Sequence, residues 1–557
     1  MPVEGLRAEI SRVLREMEIE PGDIVLERPR NPEHGDFSSN VALTLAKPLG
    51  RSPRDLATEL VERLDLTGAG IRAAEIAGPG FINFRLAGDY IRDGLLRIVG
   101  EGDDYGRSAV GEGKPVMVEF VSANPTGALH IGHGRQAALG DTVSELLAWT
   151  GWKVHREFYY NDAGEQIARL TRSVWTRYQQ QHGVDLQFPE DGYHGTYVSE
   201  IAAAIAAEHG DRFTGDETAE ALDTMRQFAV GVLREEQNRD LEEFRVRFDN
   251  FYLESSLYEG GHVDRTIAAL RETGLVYEKD GALWLETTRF GDDKDRVMVK
   301  SSGHPTYFLP DVAYHLAKWE RGFHRAINVQ GSDHHGTTAR VRAGLQALGL
   351  PAGYPEYLLH QMVLVMRGGQ EVKFSKRAGN NVTLRDLFSE VGVDVTRYFF
   401  LMRKAEAQLT FDLDLALDQS DKNPVYKVQY AHARIASIFR RAGIEDGRLI
   451  SADDADLARL EHPTELDLVK LLLRFPDVVE VAAERFGPHL ICEYAEEVAG
   501  AVNSWYHAGN LDPSLRVVGV PEPLSLARIV LARGAQVVLR NCLAVLGVTA
   551  PQRMERD

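Results

Sequence analysis

Residues 116–147 write out a strand, a tight turn and a helix start, and this run limits the fold more than any other part of the chain. Val116 to Val121 is apolar and strand-like, and Ala123-Asn124-Pro125-Thr126-Gly127 is a turn. His130-Ile131-Gly132-His133 comes next, and a helical pattern runs from Gln136 to Leu147. Such a unit is an anion site, because free backbone N–H groups and the helix dipole favour phosphate at the helix start. Two histidines across one glycine add donors, and Gly132 lets a flat ligand approach the backbone. One loop histidine carries little functional information; two at this position carry more.

A second strand, Lys153 to Tyr160, comes at the spacing of a parallel strand–helix–strand unit. Asn161-Asp162-Ala163-Gly164 ends it and leads into a helix with Gln166. Open parallel sheets bind ligands at the carboxyl ends of their strands, so His130 and Asn161-Asp162 are expected to face one crevice. Residues 165 to 245 read as long polar helices. Phe248–Leu253, Leu275–Tyr277 and Ala282–Leu285 read as strands, so residues of about 165–290 form an insertion. The sheet pattern resumes at Tyr307–Asp311, which opens a helix through Trp319. Arg325–Gln330 is a strand, Gly331-Ser332-Asp333-His334-His335-Gly336 its exit, and Thr338–Leu348 a helix. Tyr357 to Met366 reads as one further strand.

Residues 1–110 read as a small α/β module. It has helical runs at Leu6–Met17, Val41–Ala46, Ala57–Leu64 and Tyr90–Val99, a short strand at Ile24–Glu27, and strands on either side of Gly78-Pro79-Gly80. From about 416 to 557 the pattern is helical, including Val425–Ala442, Asp454–Leu460, Cys492–His507 and Leu524–Leu546. The expected fold is therefore α/β: a Rossmann-like parallel-sheet domain over 111–415 with an insertion, a small N-terminal α/β domain over 1–110, and an all-helical C-terminal domain over 416–557. A length of 557 residues accommodates three or four domains. No run approaches the ~20 apolar residues of a membrane span. Met1–Ile10 lacks a secretory apolar core. Cys492 and Cys542 sit in apolar helical runs, as buried thiols in a reducing cytosol do. The net charge of −20 lowers the expectation of a nucleic-acid partner, although a basic face can sit on an acidic protein.

Lys373-Phe374-Ser375-Lys376-Arg377 supplies two lysines three apart in a loop bounded by Gly379. Lysine is a compact charge that can follow a departing phosphate. With His130–His133 on an earlier strand end of the same sheet, the two motifs make opposite halves of a nucleotide clamp.

That pair resembles the two signatures of the class I aminoacyl-tRNA synthetases; Phe374 and Arg377 depart from the usual lettering of the second. More specifically the chain resembles the arginyl-tRNA synthetase family of the bacterial type. Val118–Gly127, Asn161–Gln166, Tyr430-Ala431-His432-Ala433-Arg434 and Gly78–Phe84 match further family motifs, in the family's order. The resemblance implies ATP-dependent attachment of L-arginine to tRNA(Arg) through an arginyl-adenylate, with release of AMP and pyrophosphate. It implies ATP as a substrate with Mg2+, no tightly bound cofactor and no dedicated metal site. His130, His133, Lys373 and Lys376 would be catalytic. ATP would meet His130, Gly132, His133, Gly331, Asp333, Lys373, Ser375 and Lys376, with Gly132 beneath the adenine.

An arginine side chain demands carboxylates in a planar, bidentate arrangement. The resemblance assigns Tyr307 and Asp311 to that side chain, Asn124 and Glu119 to the amino-acid end or nearby, and His334 to the same pocket. Buried carboxylates would reject uncharged analogues, because their charges would be left unpaired. For tRNA, Tyr430 and Arg434 lie one helical turn apart, Trp505 is a candidate to stack a splayed base, and Phe37 and Asn40 would touch the tRNA elbow. The expected protein is a monomeric cytoplasmic ligase. A compact nucleotidyltransferase would leave residues 1–110 and 420–557 without a role. A non-catalytic RNA-binding paralogue would have no need to keep both signatures.

Overall fold

The computed structural model describes residues 2–29, 31–162, 164–372, 382–444 and 455–554. The chain gathers into two units. One contains Met1–Tyr105, Arg434–Arg474 and Gly500–Val538; the other contains Gly106–Ala433, Phe475–Ala499 and Leu539–Asp557.

The first unit holds a four-stranded sheet made from β1 (Leu26–Glu27), β2 (Phe37–Ser39), β3 (Ile71–Ala77) and β4 (Phe81–Leu86), in the order β1-β2-β4-β3. Every pairing in it is antiparallel. The helix Pro53–Arg63 has Ser52 as its N-cap, which accepts from the Asp55 N–H, and a proline at its first position, where the missing N–H costs nothing. The C-terminal segments of this unit carry a buried ion pair, Arg528 Nε to Glu465 Oε1 at 2.6 Å.

The second unit is built on a five-stranded parallel sheet. Its strands are β5 (Pro115–Glu119), β6 (Lys153–Tyr160), β7 (Asn250–Leu253), β11 (Ala326–Gly331) and β12 (Glu356–His360), in the order β12-β11-β5-β6-β7. Val116, Met117 and Val118 are fully buried, as befits a central strand covered on both faces. The helix Ile131–Trp149 buries nearly all residues from Gly134 to Leu147, so its sequence shows little one-sided patterning. Gly140 meets the Phe120 ring so closely that a Cβ there would overlap it. Strand order reverses beside β5, where β6 lies on one side and β11 on the other; ligands of open sheets bind at such a switch point. A three-stranded antiparallel sheet joins β8 (Val276–Lys279) and β9 (Ala282–Leu285), at the end of the insertion, to β10 (Arg296–Val299) just past it. β13 (Val363–Arg367), β14 (Gln370–Glu371) and β15 (Leu409–Asp412) form a third sheet in this unit.

Three local expectations change. Tyr357–Met366 is two strands in two different sheets, β12 and β13, separated at Gln361-Met362. The apolar run is continuous, so periodicity alone does not reveal the break. The strand expected at Ile24–Glu27 is reduced to Leu26–Glu27. The helix expected over Asp454–Leu460 is, among its described residues, one 3-10 turn at Leu457–Arg459.

Candidate active site

The helix Ile131–Trp149 begins with His130 as its N-cap. His130 Nδ1 accepts from the Gly132 and His133 backbone N–H groups at 3.0 and 3.3 Å. His133 Nδ1 accepts from the His130 N–H at 3.4 Å, closing a reciprocal capping box. Both rings therefore carry their proton on Nε2, leaving two Nε2–H donors at a helix N-terminus. The rings stack with centroids 3.6 Å apart. Desolvation by the surrounding protein lowers the pKa of His130, opposed by the charge of Asp333. The same effect, with His130 and His360 nearby, holds His133 well below the usual histidine range. The pair is neutral at pH 7, an arrangement of hydrogen-bond donors more than of cations.

Residues just beyond the second signature are fixed to the first by backbone pairing. The Ile131 N–H donates to Val382 O at 3.2 Å, the Leu384 N–H donates to Leu129 O at 2.8 Å, and His130 bridges Thr383. Lys373, Ser375 and Lys376 themselves lie outside the described residues. Gly331 ends β11, and the exposed Asp333 comes after it, near enough to His130 and His360 to bias both. His334 is exposed beside Asp333, its Nε2 3.5 Å from an Asp333 oxygen.

The residues expected at the amino-acid end lie at the ends of β5, β6 and β7 and on the helix Phe308–Glu320. Glu119 is buried and already paired. Its Oε2 accepts from Lys318 Nζ at 2.5 Å and its Oε1 from Ser122 Oγ at 2.9 Å. Lys318 also donates to Asn328 Oδ1 at 3.0 Å. Asn328 Nδ2 lies 2.6 Å from His315 Nε2, and His315 Nδ1 lies 2.7 Å from Asp311 O. Burial, then the charge of Lys318, pushes the His315 pKa down to about 3, so this chain of bonds runs through a neutral imidazole. At Asp311 carboxylates act more strongly than cations. Burial, then the charges of Glu254 and Glu119, raises its pKa to about 7, against the weaker pull of Arg340 and Lys318. Glu254 is raised too, by burial and by Asp162, while the Tyr159 hydroxyl, 3.0 Å from its Oε2, lowers it. Two acids raised by burial and by neighbouring carboxylates favour a cation beside them.

Between the halves, Val121 and Ser122 adopt left-handed φ values of 68° and 42°. For a β-branched residue this is a strained state that the surroundings must hold. Ser122 Oγ accepts from the Tyr159 N–H while donating to Glu119, which fixes the turn. Asn124 Nδ2 donates to Gln166 Oε1 at 2.7 Å. Gln237 donates to Asn124 O and Gly127 O, so the long insertion helix Ala219–Glu243 braces the same turn.

Tyr307 is 75% exposed at the N-cap of the helix that carries Asp311. Tyr430 stacks on Tyr426 within the helix Pro424–Arg441, which also carries Arg434. Arg434 bonds Asn503 and lies over the Tyr506 ring. Asn40 is partly exposed, with no capping bond from its side chain. Two of the expected tRNA contacts need correction. Trp505 is 2% and Phe37 1% exposed, so neither offers a ring face to a base; they are core residues. Sequence reasoning missed Glu254 and His360. Glu254 directly succeeds β7, and the carboxyl-end rule applied to Phe248–Leu253 would have found it. His360 ends β12 with Nε2 buried and without a partner among the described residues, and burial pushes its pKa down to about 4. Among the described residues no three His, Cys, Asp or Glu side chains converge to hold a metal, and no helix is long and apolar enough to cross a membrane.

Known proteins align with this architecture along its whole length. The family description "Arginyl tRNA synthetase N terminal domain" matches residues 4–86, "tRNA synthetases class I (R), catalytic domain" matches 96–409, and "DALR anticodon binding domain" matches 428–554. An arginine–tRNA ligase of Geobacter metallireducens is 53% identical over 95% of this chain and 95% of its own. One from Bordetella petrii is 50% identical over 99% of this chain and 98% of its own. The Thermus thermophilus arginyl-tRNA synthetase structure superimposes with TM-score 0.77 at 24% identity, covering 99% of this chain and 100% of its own. At that identity the likeness speaks for the fold alone.

Proposed function

The chain belongs to the arginyl-tRNA synthetase family and attaches arginine to tRNA at the expense of ATP; from that premise we propose how its residues divide the work. The observation that supports the assignment is the pairing of a histidine-capped anion site with an acidic pocket in which burial and carboxylates outweigh the pull of Arg340 and Lys318 on Asp311, both toward carboxyl ends of one parallel sheet.

The arginine guanidinium enters between Asp311 and Glu254, with Tyr307 at the rim and His334 further out. Glu119, neutralised by Lys318, holds the Ser122 turn and so places Asn124 near the amino-acid end. The arginine carboxylate oxygen attacks the α-phosphorus of ATP. The bond from that phosphorus to the bridging oxygen breaks, and pyrophosphate leaves. Charge builds on phosphate oxygens, and the Nε2–H groups of His130 and His133 meet it, with Gly132, Gly331 and Asp333 lining the nucleotide. Lys373 and Lys376 stabilise the departing pyrophosphate, with Ser375 between them. Mg2+ would come with ATP as part of the substrate and would supply neutralisation of phosphate charge. A ribose hydroxyl of the tRNA terminus then attacks the acyl carbon and AMP leaves. Residues 1–110 would contact the tRNA elbow through Asn40, and the helical region through Tyr430 and Arg434. The protein would act as a monomer in the cytoplasm.

Arginine-dependent ATP–pyrophosphate exchange, with and without tRNA, tests the reading. Exchange with arginine that requires tRNA is expected, and Lys376→Ala is expected to abolish it. Exchange driven by another amino acid, or none with tRNA present, would overturn it.

A further inference from the structure

Asn328 is an amide in an apolar strand. It sits in β11 between Ile327 and Val329, wholly buried, with β12 paired on one side and β5 on the other. A buried amide is costly there unless its polar atoms are bonded. Both ends of this one are: Oδ1 accepts from Lys318 Nζ at 3.0 Å, and Nδ2 lies 2.6 Å from His315 Nε2.

The partners fix the direction of every bond in this run. A lysine ammonium only donates, so the amide atom facing it is the oxygen. The amide NH2 therefore points at His315 and donates, which leaves His315 Nε2 without a proton. Nδ1 carries the proton and donates to Asp311 O at 2.7 Å. His315 is thus the Nδ1–H tautomer, the reverse of His130 and His133. Burial and Lys318, on its own helix, oppose a second proton on the ring, against the pull of Glu157 from β6. The Tyr354 hydroxyl lies 3.1 Å from His315 O, and the Tyr314 and Tyr357 rings stand 5.5 and 6.5 Å from the imidazole.

His315 lies one turn beyond Asp311 on the helix Phe308–Glu320. A charge on it would add to Arg340 and Lys318, which already oppose Glu254 and Glu119 at Asp311. We propose that Asn328 and His315 are specificity-determining positioning residues: the amide's fixed direction keeps the imidazole uncharged, so no further cation of the protein offsets the acids that receive the substrate guanidinium. This role presupposes that the guanidinium is received at Asp311, as proposed above. Neither side chain needs to touch arginine; each acts through Asp311.

Asn328→Asp tests the role, because an aspartate accepts from both neighbours and draws a proton onto His315 Nε2. In aminoacylation by the full chain at pH 7, the arginine KM is expected to rise about threefold or more, with the ATP KM unmoved. Adding His315→Gln removes the imidazolium and is expected to return the arginine KM to the parent value or below, whereas two merely structural lesions would compound. Nitrogen-15 NMR of the histidine-labelled parent protein, with His315→Gln marking the resonance, reads the tautomer without any active variant. A neutral Nδ1–H ring is expected from about pH 6 to 8. An imidazolium or an Nε2–H ring would overturn the proposal, as would an arginine KM that His315→Gln makes worse in the Asn328→Asp background. An arginine KM that responds to Asp311→Asn but not to Asn328→Asp would overturn this role alone. An arginine KM unmoved by Asp311→Asn would overturn the placing of the guanidinium, and this role with it.

Discussion

Lys318 Nζ lies 2.5 Å from Glu119 Oε2, and the lysine side chain is wholly buried. Glu119 is thus neutralised from within the protein, which on the division of work proposed above leaves the substrate guanidinium to Asp311 and Glu254. Breaking a buried pair from one side strands the other charge, at a cost of about 3–5 kcal/mol. Lys318→Met should lower the unfolding free energy, read from denaturant titration, by an amount in that range. Adding Glu119→Gln should recover a large part of it. A Lys318→Met protein as stable as the parent would show that Glu119 does not depend on its partner.

Asp311 is expected to make arginine binding pH-dependent. Its pKa is raised to about 7 by burial and by Glu254 and Glu119, whereas an incoming guanidinium favours the ionised form. Arginine binding near neutrality should therefore release a proton, and the KM for arginine should rise as pH falls below 7. The sign for stability is opposite. Between the unfolded carboxyl value near 4 and 7, the folded protein holds the extra proton, so this group makes the protein less stable as pH rises. Asp311→Asn should flatten that slope, stabilise the unliganded protein at neutral pH, and raise the arginine KM roughly a hundredfold. Calorimetry in buffers of different ionisation enthalpy counts the proton directly.

The β5–turn–helix unit was legible in sequence because three independent features agreed: an apolar run, a turn and a capped helix start. Strand β6 matches its expected bounds, Lys153–Tyr160, for the same reason. The amino-acid pocket was legible only in part. Asp311 was reached through the family resemblance, since an acid in a helix's first turn reads equally as a cap, while Glu254 sits in the stretch read as an insertion, and only strand pairing of β7 with β6 brings it to the site. Lys318 gave no signal, because a lysine inside an amphipathic helix reads as solvated until its partner strand is known. Trp505 and Phe37 misled for a related reason: helical or strand periodicity places an aromatic on a face without saying what covers that face.

That ambiguity yields its own test. Trp505→Ala should act through folding, with a loss of about 3–5 kcal/mol, since a buried aromatic is replaced by a cavity. Arg434→Ala should instead raise the KM for tRNA while leaving the melting temperature within a few degrees. A Trp505→Ala protein of unchanged stability with weakened tRNA binding would restore the tryptophan to the tRNA surface.

His130 carries two roles that substitution can separate. Its Nδ1 caps the helix, and its Nε2–H is the phosphate donor of the proposed mechanism. His130→Asn keeps a capping oxygen, so it should preserve the helix start while losing the Nε2–H donor. His130→Ala loses both, adding about 1 kcal/mol of destabilisation. Both variants should lose roughly a hundredfold or more in pyrophosphate exchange, because a preorganised donor to developing phosphate charge is gone. Arginine KM should hardly move, since the guanidinium pocket is elsewhere. Gly132→Ala reaches the same site from beneath. Its Cβ would stand 2.8 Å from His130 Cε1 and 3.0 Å from Nδ1, so the ring must shift. Loss of exchange in Gly132→Ala with an unchanged melting temperature would tie activity to where that ring sits. Full activity would mean that the ring's position is not what the reaction needs.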